Sequence, residues 1–184
     1  MISVIEEIKQ ALDNNMPRAA LALSLMLPDI CGGIEEPNAK VGARYINWIT
    51  NNISDEEYND TFDWENSSVN NGVNPNFARL TPKDIYKLRC HFLHSGDADI
   101  ESDANMLDVF TLKKIRSGDF TDDMGFGVKS PYSLYIEKDI NGMSTRYYEI
   151  DVDYLCGLLY KAAEKYYNQH DPKSDFDKHS VKFL

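Results

Sequence analysis

Six side chains able to do chemistry crowd into one short stretch, Leu80-Thr-Pro-Lys-Asp-Ile-Tyr-Lys-Leu-Arg-Cys-His-Phe-Leu-His-Ser-Gly96. Histidine titrates near neutral pH and can move protons. Arginine grips phosphate oxygens bidentately and stabilises charge as it develops on them. Arg89 and His94 therefore supply the two functions that phosphoryl transfer needs, and Lys83, Lys87 and His91 could add phosphate contacts. Other chemistries fit less well. His91 and His94 stand at i, i+3 like metal ligands, but no acidic third ligand accompanies them, so neither metal nor cofactor is expected. Cys90 beside a histidine makes a weak nucleophile pair, because it borders apolar residues and no reactive environment is evident. Phosphate-cradling glycine loops, His-Glu-x-x-His and Cys-x-x-Cys are absent from the sequence.

The element carrying these groups is legible. Thr81-Pro82-x-Asp84 offers a capping hydroxyl, a proline for the first turn and an acid at the positive end of the dipole. Ser95-Gly96 is a stop. A helix over 82–94 follows, with Leu88, Phe92, Ile85, Leu93 and Tyr86 on one apolar arc and Lys83, Lys87, His91 and His94 opposite. Arg89 falls inside the arc, where a guanidinium without a partner costs several kcal/mol. It must meet a carboxylate, a carbonyl cluster, a phosphate or a partner subunit. His94 is five positions on, roughly 140° around a regular helix, so the two do not converge on a small ligand from one face. A second copy of the helix facing the first would bring both groups to one cleft.

The totals constrain what such a site could act on. At 184 residues, 42% hydrophobic and 27% charged, the chain has the composition of a soluble globular domain. A net charge of −11 repels polyanions at long range, so a nucleic-acid role depends on a local basic site and weakens with salt. Residues 79–94 form such a site, with Arg79, Lys83, Lys87 and Arg89 against Asp84 alone. Cys31, Cys90 and Cys156 are odd in number, far apart and set among apolar residues, which reads as buried thiols in a reducing compartment. With acids at Glu6, Glu7 and Asp13 in place of a basic export signal, and an apolar run (Ala19–Leu27) too short to span a bilayer, a cytoplasmic protein without a membrane partner is expected.

Along the chain, residues 2–13 have helical spacing and end at Asn14-Asn15. Pro17 opens a second helix, apolar nearly all round and hence central, which Pro28 should end or kink and Gly32-Gly33 close. Arg18 and Asp29 flank it as salt-bridge partners. A third helix begins at Pro37-Asn38 and presents Val41, Tyr45, Trp48 and Ile49 on one face. Residues 51–79 read as a long polar excursion. Asp97 to Asp103 alternates acids but lacks the glycine and the final glutamate of a calcium loop. Met106–Ile115 is a strand or a short helix. Residues 133–140 and 145–150 around Asn141-Gly142 form a hairpin. A last helix over 152–168 carries a stripe from Val152 to Tyr166, and 169–184 is a loosely held tail. The expected fold is mainly α: a helical bundle with a small antiparallel β-hairpin or meander before the last helix, in a single domain over 1–168.

Arg89-x4-His94 resembles the Arg-x(4–6)-His signature of HEPN domains. The frame around it is similar to uncharacterised bacterial HEPN-like proteins in Ala20–Gly32, in Arg44, Tyr45 and Trp48, and in Leu88–His94. Cys90 stands where many active members place Asn, Asp or His after the arginine. The resemblance implies an HEPN-like helical core, a homodimer and metal-independent RNA cleavage with Arg89 and His94 catalytic, as in a toxin or phage-defence effector restrained by an antitoxin or other protein. Non-catalytic members imply the alternative, a module that binds a protein partner or a nucleotide, with Arg89 structural.

Overall fold

The computed structural model describes residues 1–54, 80–94, 99–103, 106–113, 132–138 and 144–179. Its contacts divide into two compact units, Met1–Ser54 with Asp153–Leu184, and Asp55–Val152, where the sequence pattern pointed to one domain over 1–168. The polar excursion lies, from residue 55 onward, outside the described residues. The fold is mainly helical, with a small sheet before the last long helix.

In the first unit, α1 (Ile2–Asp13) buries Ile5, Ile8 and Ala11 along one stripe. Its end is a paired-bond stop: Met16 N–H reaches Ala11 O (2.8 Å) and Asn15 N–H reaches Leu12 O (3.1 Å). Asn15 takes the left-handed conformation (φ 58°) that this closure requires and that asparagine tolerates. Pro17 then occupies the first turn of α2 (Pro17–Glu35).

Pro28 does not end α2, and Gly32-Gly33 does not close it; both lie inside the helix. The helix is not surrounded as its apolar sequence suggests: Arg18, Ala19 and Met26 are exposed. One broad face with Leu21, Ser24, Leu25, Pro28 and Cys31 is buried, and packing on that face keeps α2 helical through the proline. Pro28 offers no N–H to the Ser24 carbonyl; one residue further on, the Tyr45 hydroxyl donates to Leu25 O (3.2 Å). Gly32 serves close packing: a Cβ there would stand 2.6 Å from the Arg44 carbonyl oxygen. That carbonyl belongs to α3 (Val41–Asn52), which starts after Lys40, later than Pro37-Asn38. It buries Tyr45, Trp48 and Ile49, while Val41 stays 44% exposed.

The last long helix, α5 (Val152–Gln169), buries Val152, Leu155, Cys156, Leu159 and Ala163. Its Glu164 meets Lys9 of α1 at 3.2 Å, but both side chains are well exposed. Such a pair adds at most about 1 kcal/mol, so the buried stripe dominates. Beyond α5 the chain folds back as a 3₁₀ helix, Lys173–His179. Phe176 is buried there against the Tyr166, Tyr167 and His170 rings. His170 Nε2 lies 3.0 Å from Asp175 Oδ2, and Lys173 donates to the closing carbonyls of Asn168 and His170. Residues 170–177 are thus docked, in contrast to the loose tail expected.

The second unit holds α4 (Pro82–His94) and four strands, β1 (Asp99–Asp103), β2 (Met106–Lys113), β3 (Tyr132–Lys138) and β4 (Ser144–Asp151). The sheet order is β1-β2-β4-β3. The hairpin forms as the pattern indicates, β3 antiparallel to β4, although its Asn-Gly turn lies outside the described residues. Beyond the hairpin, β2 pairs with β4 in parallel, so the sheet is mixed and not a meander. Alternation places Asp108 and Phe110 on the same buried face as Arg146, Tyr148 and Ile150. In register across that parallel pair, Phe110 stacks on Tyr148 with ring centroids 4.8 Å apart.

Candidate functional site

Helix α4 begins with a reciprocal cap. Asp84 N–H donates to Thr81 Oγ1 (3.2 Å), while Asp84 Oδ2 accepts from Thr81 N–H (3.0 Å) and from the Thr81 hydroxyl (2.5 Å). This uses only one oxygen of Asp84, which is 4% exposed. The other, Oδ1, faces Arg146 Nη2 at 3.4 Å and Lys87 Nζ at 3.7 Å.

Arg146 reaches the sheet partner opposite it in register. Its Nε and Nη2 fork onto Asp108 Oδ1 (2.6 Å) and Oδ2 (2.8 Å), and Lys87 Nζ adds a third bond to Oδ2 at 3.0 Å. Asp108 is fully buried and Arg146 nearly so. Two acids and two cations thus compensate one another between α4 and the β2–β4 pair. Burial alone would push the Asp108 carboxyl up; the hydrogen bonds from Arg146 and Lys87 outweigh it and hold the group below the usual carboxylate range. For Arg146 burial works against the charge, but Asp108 more than restores it and keeps the guanidinium protonated.

Of the residues singled out for chemistry, Lys87 is the one drawn into this network, its side chain 18% exposed. Lys83 is exposed, and Arg89, Cys90 and His91 are half-buried on α4. Arg89 is not without a partner in the protein. His94 is the last residue of α4, and only its backbone is described. The helix is unbroken from Pro82 to His94, so positions 89 and 94 stand roughly 140° apart around its axis.

Asp84, Asp108 and Arg146 escaped the reading of the sequence as a site. A signal was present. Asp108 sits in phase with Phe110 and Leu112, and Arg146 in phase with Tyr148 and Ile150, which marks two opposite charges pointing inward. Their pairing with one another depends on β2 lying beside β4, which no local pattern encodes. Chemically the quartet pairs two acids with two cations and ties the first turns of α4 to the sheet. Comparison with protein-family models, with curated proteins and with solved structures finds no match for the chain.

Proposed function

We propose that this chain is a metal-independent endoribonuclease of HEPN type, acting as a homodimer with Arg89 and His94 catalytic. The observation that supports the reading is the placement of Arg-x4-His on one unbroken helix whose first turns are fixed by buried charges, leaving the motif on the later turns. In the reaction a ribose 2′-oxygen attacks the adjacent phosphorus. His94 takes the 2′ proton or gives one to the departing 5′-oxygen, and Arg89 neutralises the pentacoordinate phosphate. The P–O5′ bond breaks, leaving a 2′,3′-cyclic phosphate and a 5′-hydroxyl. Exposed Lys83 and half-buried His91 contact neighbouring phosphates, while Lys87, paired with Asp108 and Asp84, holds the helix. Such an activity in a cytoplasmic protein suits a toxin or defence effector held in check by an antitoxin.

The partial burial of Arg89 and its partners within the protein favour a second reading, a non-catalytic HEPN-like module that binds a protein or nucleotide. One experiment separates the two. Purified protein should cleave structured RNA in EDTA, and Arg89→Ala or His94→Ala should abolish cleavage while the circular dichroism of the fold is retained. A wild type inert on diverse RNAs, or an Arg89→Ala variant that unfolds, would establish the structural role.

A further inference from the structure

We propose that Arg146 and Asp108, on the sheet, are positioning residues that set the register and tilt of α4. The claim about geometry stands on the charge quartet; its consequence for turnover rests on the ribonuclease reading. Along α4 the charges run acid then base, Asp84 then Lys87, one turn apart. Across the sheet the in-register pair runs base then acid, Arg146 facing Asp84 and Asp108 facing Lys87. The two dipoles match in one alignment only. If α4 slid by one turn, about 5.4 Å, either Lys87 would come against Arg146 or Asp84 against Asp108, like charge on like. Buried Arg146 would then lose one of its two acids and the alternation would be lost. Buried charges left short of partners are heavily disfavoured, so such a network selects one arrangement over its neighbours.

The motif lies on the far side of this joint. His94 is seven residues beyond Lys87, about 10 Å along the axis. A tilt of about 10° around Lys87 would carry that end of the helix by about 2 Å, and misplacements of about 1 Å at a reacting group can cost 100-fold in rate. Arg146 touches no substrate; it acts through the helix.

The test uses the full chain with Arg146→Lys, Arg146→Gln and Asp84→Asn. The last retains an acceptor for the Thr81 cap and removes the charge facing Arg146. Two readouts are taken: kcat and KM on a structured RNA, and amide hydrogen exchange of residues 85–94 against α2. Arg146→Lys keeps the charge but loses the fork. It should lower kcat about tenfold or more with KM within about threefold. Arg146→Gln should be worse, and exchange should quicken in α4 while α2 is unchanged. Retained kcat in Arg146→Lys, or a loss confined to KM, overturns the positioning role. Should the wild type cleave no RNA, the ribonuclease reading falls and exchange alone decides: quickened α4 amides sustain the joint, unchanged ones refute it. Should both Arg146 variants fail to fold, Asp84→Asn carries the same two readouts with the same deciding outcomes.

Discussion

A single methyl group should have opposite effects at two glycines of the first unit. At Gly32, inside α2, an added Cβ would lie 2.6 Å from the Arg44 carbonyl oxygen, 3.0 Å from its carbon and 3.3 Å from Trp48 Cβ. Two of those atoms are α3 backbone and the third survives even Trp48→Ala, so no rotamer change relieves the clash. The helices must part. A 2.6 Å clash with backbone belongs in the upper part of the overpacking range, about 2–3 kcal/mol, against about 1 kcal/mol gained from replacing a helical glycine by alanine. Gly32→Ala should therefore destabilise by about 1–2 kcal/mol, which lowers the thermal midpoint by roughly 2–8 °C in a chain of this size.

Gly157, inside α5, provides the control. Among the described residues nothing stands within 4 Å of its would-be Cβ. Gly157→Ala should stabilise by about 0.5–1 kcal/mol. The substitution is chemically the same at both sites, so its effect on the unfolded chain largely cancels in the comparison. Urea unfolding followed by helical circular dichroism measures both. Close packing of α2 on α3 is refuted if Gly32→Ala is as stable as the wild type, or if Gly157→Ala loses as much as Gly32→Ala.

Three more outcomes follow from buried groups. Burial, with Glu35, Cys31 and Asp175 nearby, pushes the Tyr166 hydroxyl up to about 12; because the unfolded group ionises first, stability should be intact below about pH 10 and fall towards about pH 12, a slope that Tyr166→Phe should remove in alkaline unfolding curves. Cys31 is fully buried, which pushes its thiol up, and Cys156 is fully buried too, whereas Cys90 is half-buried; mass spectrometry after brief iodoacetamide treatment should find Cys90 alkylated first, and equal labelling of Cys31 would contradict its packing. Asp108, with its carboxyl held below the ordinary range, contributes stability that is present above about pH 4 and lost as pH falls through its folded value. Asp108→Asn should cost about 3–5 kcal/mol at neutral pH and flatten the acid limb of the urea midpoint, while Asp108→Leu with Arg146→Met should cost much less than either change alone.

What was legible in the sequence is what local chemistry determines. Asn14-Asn15 before Pro17 specifies a stop and a start, and the structure uses Asn15 in the left-handed conformation for that purpose. Thr81-Pro-x-Asp84 becomes the cap it resembles, and the strand alternation of 144–151 survives as a buried face. Less legible were features that depend on neighbours distant in the chain. Pro28 and Gly32 have the local chemistry of helix breakers, but packing around α2 overrides the first and requires the second. Phe176 is one aromatic in a polar stretch, and only the rings that α5 presents beside it make it a docking point. The parallel neighbour of β4 is likewise a matter of topology.

The same division bears on the arginines. The premise that a buried guanidinium must find carboxylates applies most strictly to Arg146, which lies almost out of solvent between Asp108 and Asp84. Arg89 is under a weaker demand, because half-burial leaves part of its hydration in place. A cation that must stabilise a transient phosphate charge cannot sit in a saturated pocket, since every donor would already be spent on a permanent acid. Arg146, with its fork fully occupied by Asp108, is therefore suited to hold geometry and unsuited to meet substrate. Along α4 the charges divide by position: Asp84 and Lys87 pair with the sheet, and the proposed cleavage would draw on the arginine and histidines of the later turns.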